Sequence, residues 1–553
     1  MLFNKLTKLT VSLSVISAVI LSSSAYAGYK RVDWNRFNMA YHNENNALME
    51  KLVHIDESDI VDEVVKTKFT VKESSIEREV NNGYMMGIGF ETGLLAPNNF
   101  FKKSTTELHP GYIDLAERMV DCPIFRLGGA CSSSDSWITK IGEIGNRRVV
   151  GHRDNVAQYN GSIPGALGNY ERANEIGPLE FHKITQAINP NCKYIITLPW
   201  YEYGKEDLVS IVRFYLDEAD ESEWGALRAS MGIKDPIDVL CFEMGNELYC
   251  TEIEGYNNER TAKEYIKDVK EFIPAVKAVC PEAKFGVPLR GNHQAEADPS
   301  TYNNWNVWLA EGIGDLIDYA CPHLYYCGYE PSYFMFWFQD QYKAFTDALG
   351  EDCNIKFLVT EHGRWFDKND MKEFSTHSLD SVLAISQMYN LMYELPFIEC
   401  STYYGWYNSS WAIAKNKGEN WLLMGIPSMM DIYLKNIGDA VVSSKIESET
   451  PYTDVNSTKR RFTGLTMKDG EDIVLFLTNR HPYVEFETEF EFENDYTLVE
   501  ETVFTAPNIY SFVATKDTED IFTTTVTEKN EENFSEYKVP GKSLVVLRLK
   551  KQK

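Results

Sequence analysis

Residues 238–247 read DVLCFEMGNE, and residues 356–363 read KFLVTEHG. Each is a short apolar run of strand length that delivers a glutamate at or just past its end, Glu247 in the first and Glu361 in the second. Six more runs of the same kind lie around them: Tyr84–Phe90, Ile124–Leu127, Tyr194–Leu198, Phe285–Val287, Ile317–Cys321 and Phe397–Tyr403. With Val239–Phe242 and Phe357–Thr360 the count is eight. Between them run longer stretches, such as Ala262–Val279 and Ser378–Tyr393, whose apolar residues recur every three or four positions. Strands alternating with amphipathic helices predict an α/β fold, a (β/α)8 TIM barrel over residues 84–435. An open doubly wound sheet is the alternative. It is disfavoured because no glycine-rich phosphate-binding turn follows the first strand.

After Gly438 the pattern changes to short β-branched runs, Asp472–Thr478, Ile521–Thr527 and Leu544–Leu549, set among charged turns. They predict a C-terminal antiparallel β-sandwich domain over 440–553. Residues 28–83 form an N-terminal segment in which Val64–Val71 reads as a strand, either joining that sandwich or capping the barrel. Residues 1–27 carry Lys5 and Lys8, an apolar stretch from Val11 to Leu21 and Ala25-Tyr26-Ala27, the pattern of a cleaved signal peptide. The expectation is a secreted protein, extracellular or periplasmic, with no membrane association after cleavage.

The formal net charge of −28 repels nucleic-acid phosphates and anionic lipids, so neither is an expected partner. Cys192, Cys241, Cys321 and Cys400 lie in or beside apolar runs and read as small buried hydrophobes. The pairs Cys241–Cys250 and Cys321–Cys327 are spaced to close across a strand end. His109, His152, His293 and His362 show no ligand spacing, so neither metal nor cofactor is expected.

Active sites of this fold gather at the strand ends of one barrel face. Cleaving a glycosidic bond needs two carboxyl groups there, one to protonate the leaving oxygen and one to attack or to activate water. Glu247 after the fourth barrel strand and Glu361 at the seventh can meet across the barrel mouth. A capping or loop role is the plainer reading of either glutamate alone; their joint placement favours catalysis. Trp200, Tyr201, Tyr325, Trp365, Tyr404 and Trp406 lie near strand ends, where rings can stack on the C–H face of a sugar.

The Gly245-Asn246-Glu247 element and the strand-terminal Glu361 resemble clan A of the glycoside hydrolases, and within it the family 51 α-L-arabinofuranosidases. Further likeness lies in Gly89-Phe90-Glu91, in Phe125-Arg126-Leu127-Gly128-Gly129, in His323-Leu324-Tyr325-Tyr326 and in the closing run from Ser543 to Leu549. The resemblance implies a retaining enzyme with Glu247 as acid/base and Glu361 as nucleophile. It also implies a carbohydrate site that includes Asn246, Glu91, Arg126, His323 and Tyr325, although Glu91 and Arg126 could equally form a structural ion pair; Trp406 joins the expected site as a ring near a strand end. Ala130, Ser401–Tyr404 and His362-Gly363 depart from the family pattern at positions that hold the sugar. Arabinofuranose therefore stands beside other neutral plant-type sugars as the expected substrate. Alternatives are a clan A endoglycanase or β-glycosidase of another family, and a carbohydrate-binding protein without turnover.

Overall fold

The computed structural model describes residues 64–80, 83–91, 100–102, 106–129, 132, 137–141, 176–200, 204–250, 258–290, 304–326, 332–350, 353–364, 376–406, 411–417, 420–448, 453 and 460–553. The signal-like segment 1–27 and residues 28–63 lie outside them, as do Ala130, Tyr201, Cys327 and Trp365.

The expected runs are the strands of one closed parallel barrel. In order they are β2 (Gly87–Glu91), β3 (Ile124–Gly128), β4 (Lys193–Thr197), β5 (Val239–Glu243), β6 (Phe285–Leu289), β7 (Tyr319–Tyr326), β8 (Lys356–Arg364) and β9 (Ile398–Tyr404). Two strands run longer than the hydrophobicity alone predicts. The polar ends of β7 and β8, His323 and Glu361 among them, stay in the ladder because they pair with each other. Helices between the strands bury apolar stripes against the barrel. The helix Pro110–Arg118, for example, buries Tyr112, Leu115 and Ala116, and Pro110 opens it where a missing N–H costs nothing.

Past the barrel, β10 (Ala414–Lys417) and β11 (Asn420–Leu423) form a small hairpin. The remaining strands make a nine-stranded curled sheet, the C-terminal sandwich: β12 (Ala440–Glu447), β13 (Phe462–Asp469), β14 (Asp472–Asn479), β15 (Glu485–Glu491), β16 (Tyr496–Thr505), β17 (Thr523–Glu531), β18 (Glu536–Val539) and β19 (Ser543–Lys551). The ninth is β1 (Val64–Glu79), which lies antiparallel to β12 and parallel to β15. One face of the sheet encloses its own core, with Phe462 stacked on Phe486 and Phe69 edge-on to Phe490. The other face, including Leu465, Val474, Phe476 and Val546, merges with the barrel core. The helix Leu379–Glu394 is caught between the two bodies. Every residue from Leu379 to Tyr393 is buried, which explains why this helix carries little polar surface.

Cys241 and Cys321 correct the disulfide expectation. Both are free, buried thiols of the barrel floor, because their strand parity turns them inward and away from residues beyond the strand ends. Among the described residues, no helix is long and apolar enough to cross a membrane.

Candidate active site

Side chains inside the barrel stack in layers. The floor is apolar: Ile124, Ile195, Cys241, Cys321, Leu358 and Cys400. Two residues further along each strand, the same inward parity presents Arg126, Thr197, Glu243, His323 and Thr360. β8 then bulges. Ala320 pairs with Phe357 but His323 with Glu361, and Val359 pairs with Ser401 but His362 with Tyr403, so β8 holds one extra residue against both neighbours. A bulge re-aims the side chains around it. Here it lets consecutive residues face inward together: Thr360 Oγ1 donates to Glu243 Oε1 at 2.7 Å, and Glu361 Oε1 accepts from Arg126 Nη1 at 2.7 Å.

Arg126 is the hub of the layer. Its Nε donates to Glu243 Oε2 at 2.8 Å and its Nη2 to Asn246 Oδ1 at 2.6 Å. A guanidinium only donates, so the amide of Asn246 is held with its oxygen toward Arg126. Glu243 is fully buried and also accepts from Thr197 Oγ1 at 2.6 Å. Burial alone would raise its carboxyl. The Arg126 charge and the hydrogen bonds outweigh burial and hold it down at about 2. The same two carboxylates, Glu243 and Glu361, keep Arg126 charged against its own burial.

Glu247 reaches the mouth by a turn. Gly245 and Glu247 both adopt left-handed backbone, with φ of 90° and 46°. For glutamate that conformation costs about 1 kcal/mol or more, a strain typical of functional positions. The turn carries Glu247 over the barrel opening, where its Oε1 lies 2.8 Å from His323 Nδ1 and accepts from Tyr249 at 3.3 Å. His323 Nδ1 is also 3.4 Å from Glu361 Oε2, and Nε2 faces Glu243 Oε1 at 3.7 Å. Burial opposes protonation of this imidazole. The charge of Glu361 and the contacts with Glu243 and Glu247 raise it to about 10, so it is a cation at neutral pH. Tyr325 donates to Glu361 Oε2 at 2.8 Å.

Ligand atoms of Glu247, His323 and Glu361 lie within 4.8 Å of one another, close enough to hold a metal ion. A guanidinium and an imidazolium already neutralise these carboxylates, so the donor set suits hydrogen bonding better than a cation.

The structure brings Asn246, Glu247, Arg126, His323, Tyr325 and Glu361 into one cluster. Glu91 stands at its edge, where it accepts from Tyr404 at 2.7 Å. Gly129 explains the double glycine after Arg126: at φ 89° a Cβ there would sit 2.0 Å from Glu91 Oε2. Trp406 departs from the expectation of substrate contact. Its ring is 1% exposed, stacked on Phe90 at 5.0 Å and edge-on to Tyr112, in the wall behind the site. Trp200 likewise packs on Tyr265 and Phe272. Sequence reading missed Glu243, Thr197 and Thr360. A signal was present: Arg126 and Glu243 are opposite charges inside apolar barrel strands, and such charges need partners.

A sequence profile of the alpha-L-arabinofuranosidase 1 domain matches residues 126–348. A curated intracellular exo-alpha-(1->5)-L-arabinofuranosidase of Acetivibrio thermocellus is 23% identical over 268 residues, 47% of this chain and 48% of that protein. An enzyme of the same name from Halalkalibacterium halodurans is 26% identical over 153 residues, 28% of this chain and 29% of its own length. The chain thus matches at most about half the length of these relatives. A family 51 arabinofuranosidase from Xanthomonas axonopodis pv. citri superposes with a TM-score of 0.71 at 15% identity, over 88% of this chain and all of that one. A family 51 α-L-arabinofuranosidase from Bifidobacterium longum gives 0.72 at 12% identity, with the same coverage. The chain is similar to the family 51 α-L-arabinofuranosidases in sequence profile and in fold.

Proposed function

We propose that this protein is a retaining glycoside hydrolase that removes arabinofuranose-like units from a neutral plant-type polysaccharide or its oligosaccharides. One observation carries the mechanism: oxygens of Glu247 and Glu361 lie within 4.8 Å across the barrel mouth. Retaining enzymes place their carboxyl groups about 5–5.5 Å apart, whereas inverting ones leave roughly 6.5–9.5 Å for a water. The spacing favours direct attack by Glu361.

Charge bookkeeping assigns the roles. Glu243 and Glu361 are held by Arg126, and His323 supplies the second cation. Two anions then balance two cations, and the buried cluster is neutral when Glu247 keeps its proton. Glu247 is thereby poised as the acid. Glu361 attacks the anomeric carbon as Glu247 protonates the leaving oxygen; Glu247 then takes a proton from the water that releases the sugar from Glu361. Arg126 holds one oxygen of Glu361 and Tyr325 the other, which fixes the carboxylate for attack.

The test is kcat/KM on aryl α-L-arabinofuranoside, xyloside, galactoside and glucoside, with the product anomer followed by NMR. A substrate turned over with retention is expected, the arabinofuranoside best. Inverted product, or turnover of uronate-rich polymer alone, would overturn the reading. We also propose export, from the pattern of residues 1–27, although the curated relatives are named intracellular. N-terminal sequencing of the protein from culture fluid, expected to begin near Gly28, decides it.

A further inference from the structure

Gly363 follows Glu361 by two positions on β8 and so shares its face of the strand. A side chain there would point into the mouth beside the nucleophile. Gly363 has none, and the ring of Trp411 fills the space: a Cβ at 363 would lie 3.0 Å from Trp411 Cδ1 and 3.4 Å from its Nε1. The indole N–H donates to the carbonyl of Arg364 at 2.7 Å, which pins the ring against the bare backbone.

From there Trp411 meets both tyrosines that touch the carboxylates. Its ring centroid is 5.3 Å from Tyr325, which binds Glu361, and 5.6 Å from Tyr404, which binds Glu91. Tyr325 is buried, whereas Tyr404 and Trp411 keep partial exposure. The three rings form a corner whose open side belongs to Trp411 and Tyr404. Its place near a strand end put Trp406 forward as a ring for substrate, and the structure buries that ring.

We propose that Trp411 is the apolar wall of the sugar site, stacking on the C–H face of the unit whose anomeric carbon Glu361 attacks. This rests on the hydrolase reading above and names the part of the site that selects substrate. A ring wall recognises any neutral sugar with an apolar face and supplies no donor that reads a hydroxyl. The wall itself therefore separates neutral glycosides only weakly, and finer discrimination falls to the polar groups around it.

The experiment compares the unsubstituted protein with Trp411→Ala, Trp411→Phe and Gly363→Ala on its best aryl glycoside. Melting temperature serves as a control for folding. Trp411→Ala is expected to raise KM and to lower kcat/KM roughly tenfold or more, with kcat less affected, the scale of one stacked ring. Trp411→Phe should recover much of the loss, and Gly363→Ala should produce a smaller rise in KM by displacing the ring. A folded Trp411→Ala protein with KM unchanged overturns the wall and leaves the hydrolase reading standing. If the unsubstituted protein turns over no glycoside, retardation in arabinan and arabinoxylan gels replaces kinetics. Retardation lost in Trp411→Ala supports the wall alone; retardation kept in that variant overturns it; and no retardation of the unsubstituted protein overturns both readings.

Discussion

Two buried ionic clusters lie on either side of β8, and they are built with opposite excess. At the mouth, three carboxyl groups, Glu243, Glu247 and Glu361, gather around Arg126 and His323. Behind the strand, one carboxylate, Asp380, is shared by two guanidinium groups: Arg364 Nη1 at 2.5 Å and Arg480 Nε at 2.8 Å. Arg364 belongs to the barrel, Asp380 to the first turn of the interlayer helix, and Arg480 follows β14 of the sandwich. The second cluster is a clasp between domains. Burial opposes the charge on Asp380, but Arg364 and Arg480 hold its carboxyl well below the usual carboxylate range. The clasp holds the Asp380 carboxyl ionised between two cations, which leaves no proton on it to transfer. The mouth has one more acid than its cations neutralise, and that extra acid is what proton transfer requires. Surplus acid marks chemistry, and surplus base around a single anion marks structure.

Glutamate substitutions at the mouth put the largest strain on that distinction. Glu361→Ala is expected to cut kcat by ~10⁴-fold or more, the scale of losing a nucleophile that acts within a unit. Glu247→Ala should cost about 10²–10⁴-fold on poor leaving groups, less on activated aryl glycosides, and be rescued by azide. Glu247→Ala should leave the melting temperature nearly unchanged, because it removes a neutral acid, whereas Glu361→Ala takes one anion from a balanced buried cluster and should lower it. Equal losses that azide does not rescue would contradict the division of roles. A marked fall in melting temperature on Glu247→Ala would contradict the comparison itself.

Asp380→Asn applies the opposite test. It takes the charge from the anion that Arg364 and Arg480 share, and breaking a buried pair in this way costs about 3–5 kcal/mol. Denaturant unfolding should show that loss, while protein that remains folded keeps turnover close to the unsubstituted chain. Stability unchanged by the substitution would reduce the clasp to a bystander.

The sequence made the barrel legible because apolar runs at regular spacing depend on local pattern alone. Glu247 and Glu361 were legible for the same reason: each lies at or just past the end of such a run. The bulge at Thr360 and Glu361 was not, because an extra residue in a strand shows only against its neighbours' register. Trp406 and Trp411 show the limit most clearly. Both follow β9, and only packing reveals that the first is enclosed by Phe90 and Tyr112 while the second reaches the mouth. Glu243 was readable in principle, as a charge inside an apolar strand, but its partner lies 117 positions away on β3.

His323→Gln gives a narrower effect, confined to a pH range. The imidazole is raised from 6.5 to about 10 in the fold, so its stabilisation is complete below pH 6.5 and is lost as pH rises through about 10. Glu243 is lowered from 4.5 to about 2, so its contribution is complete above pH 4.5 and is lost as pH falls through about 2. Both are fully present between these limits. The melting temperature of the unsubstituted protein should fall from pH 6.5 toward 10, and His323→Gln should flatten that limb without altering the acid one. An unchanged alkaline limb would mean that the imidazole is neutral in the fold, and the charge balance that leaves the proton on Glu247 would fail with it.

Tyr404→Phe is the gentlest probe, and it asks where the mouth ends. The hydroxyl donates to Glu91 Oε2 at 2.7 Å, and the ring contacts Trp411 and Tyr325. Phenylalanine keeps the ring and removes only the donor. A hydrogen bond to a charged group is worth about 1.5–3 kcal/mol when buried, and less here because Tyr404 is half-buried and water can replace the lost donor. If Glu91 belongs to the chemistry of the mouth, its loosened carboxylate should weaken substrate binding, and KM should rise about threefold to tenfold with little change in melting temperature. If it belongs to the scaffold, as Asp380 does, the melting temperature should fall while KM stays fixed. Glu91 stands at the rim, beside the Arg126–His323 cluster, with its Oε2 accepting from Tyr404, so the first outcome is expected: a carboxylate placed there can also accept hydrogen bonds from sugar hydroxyls.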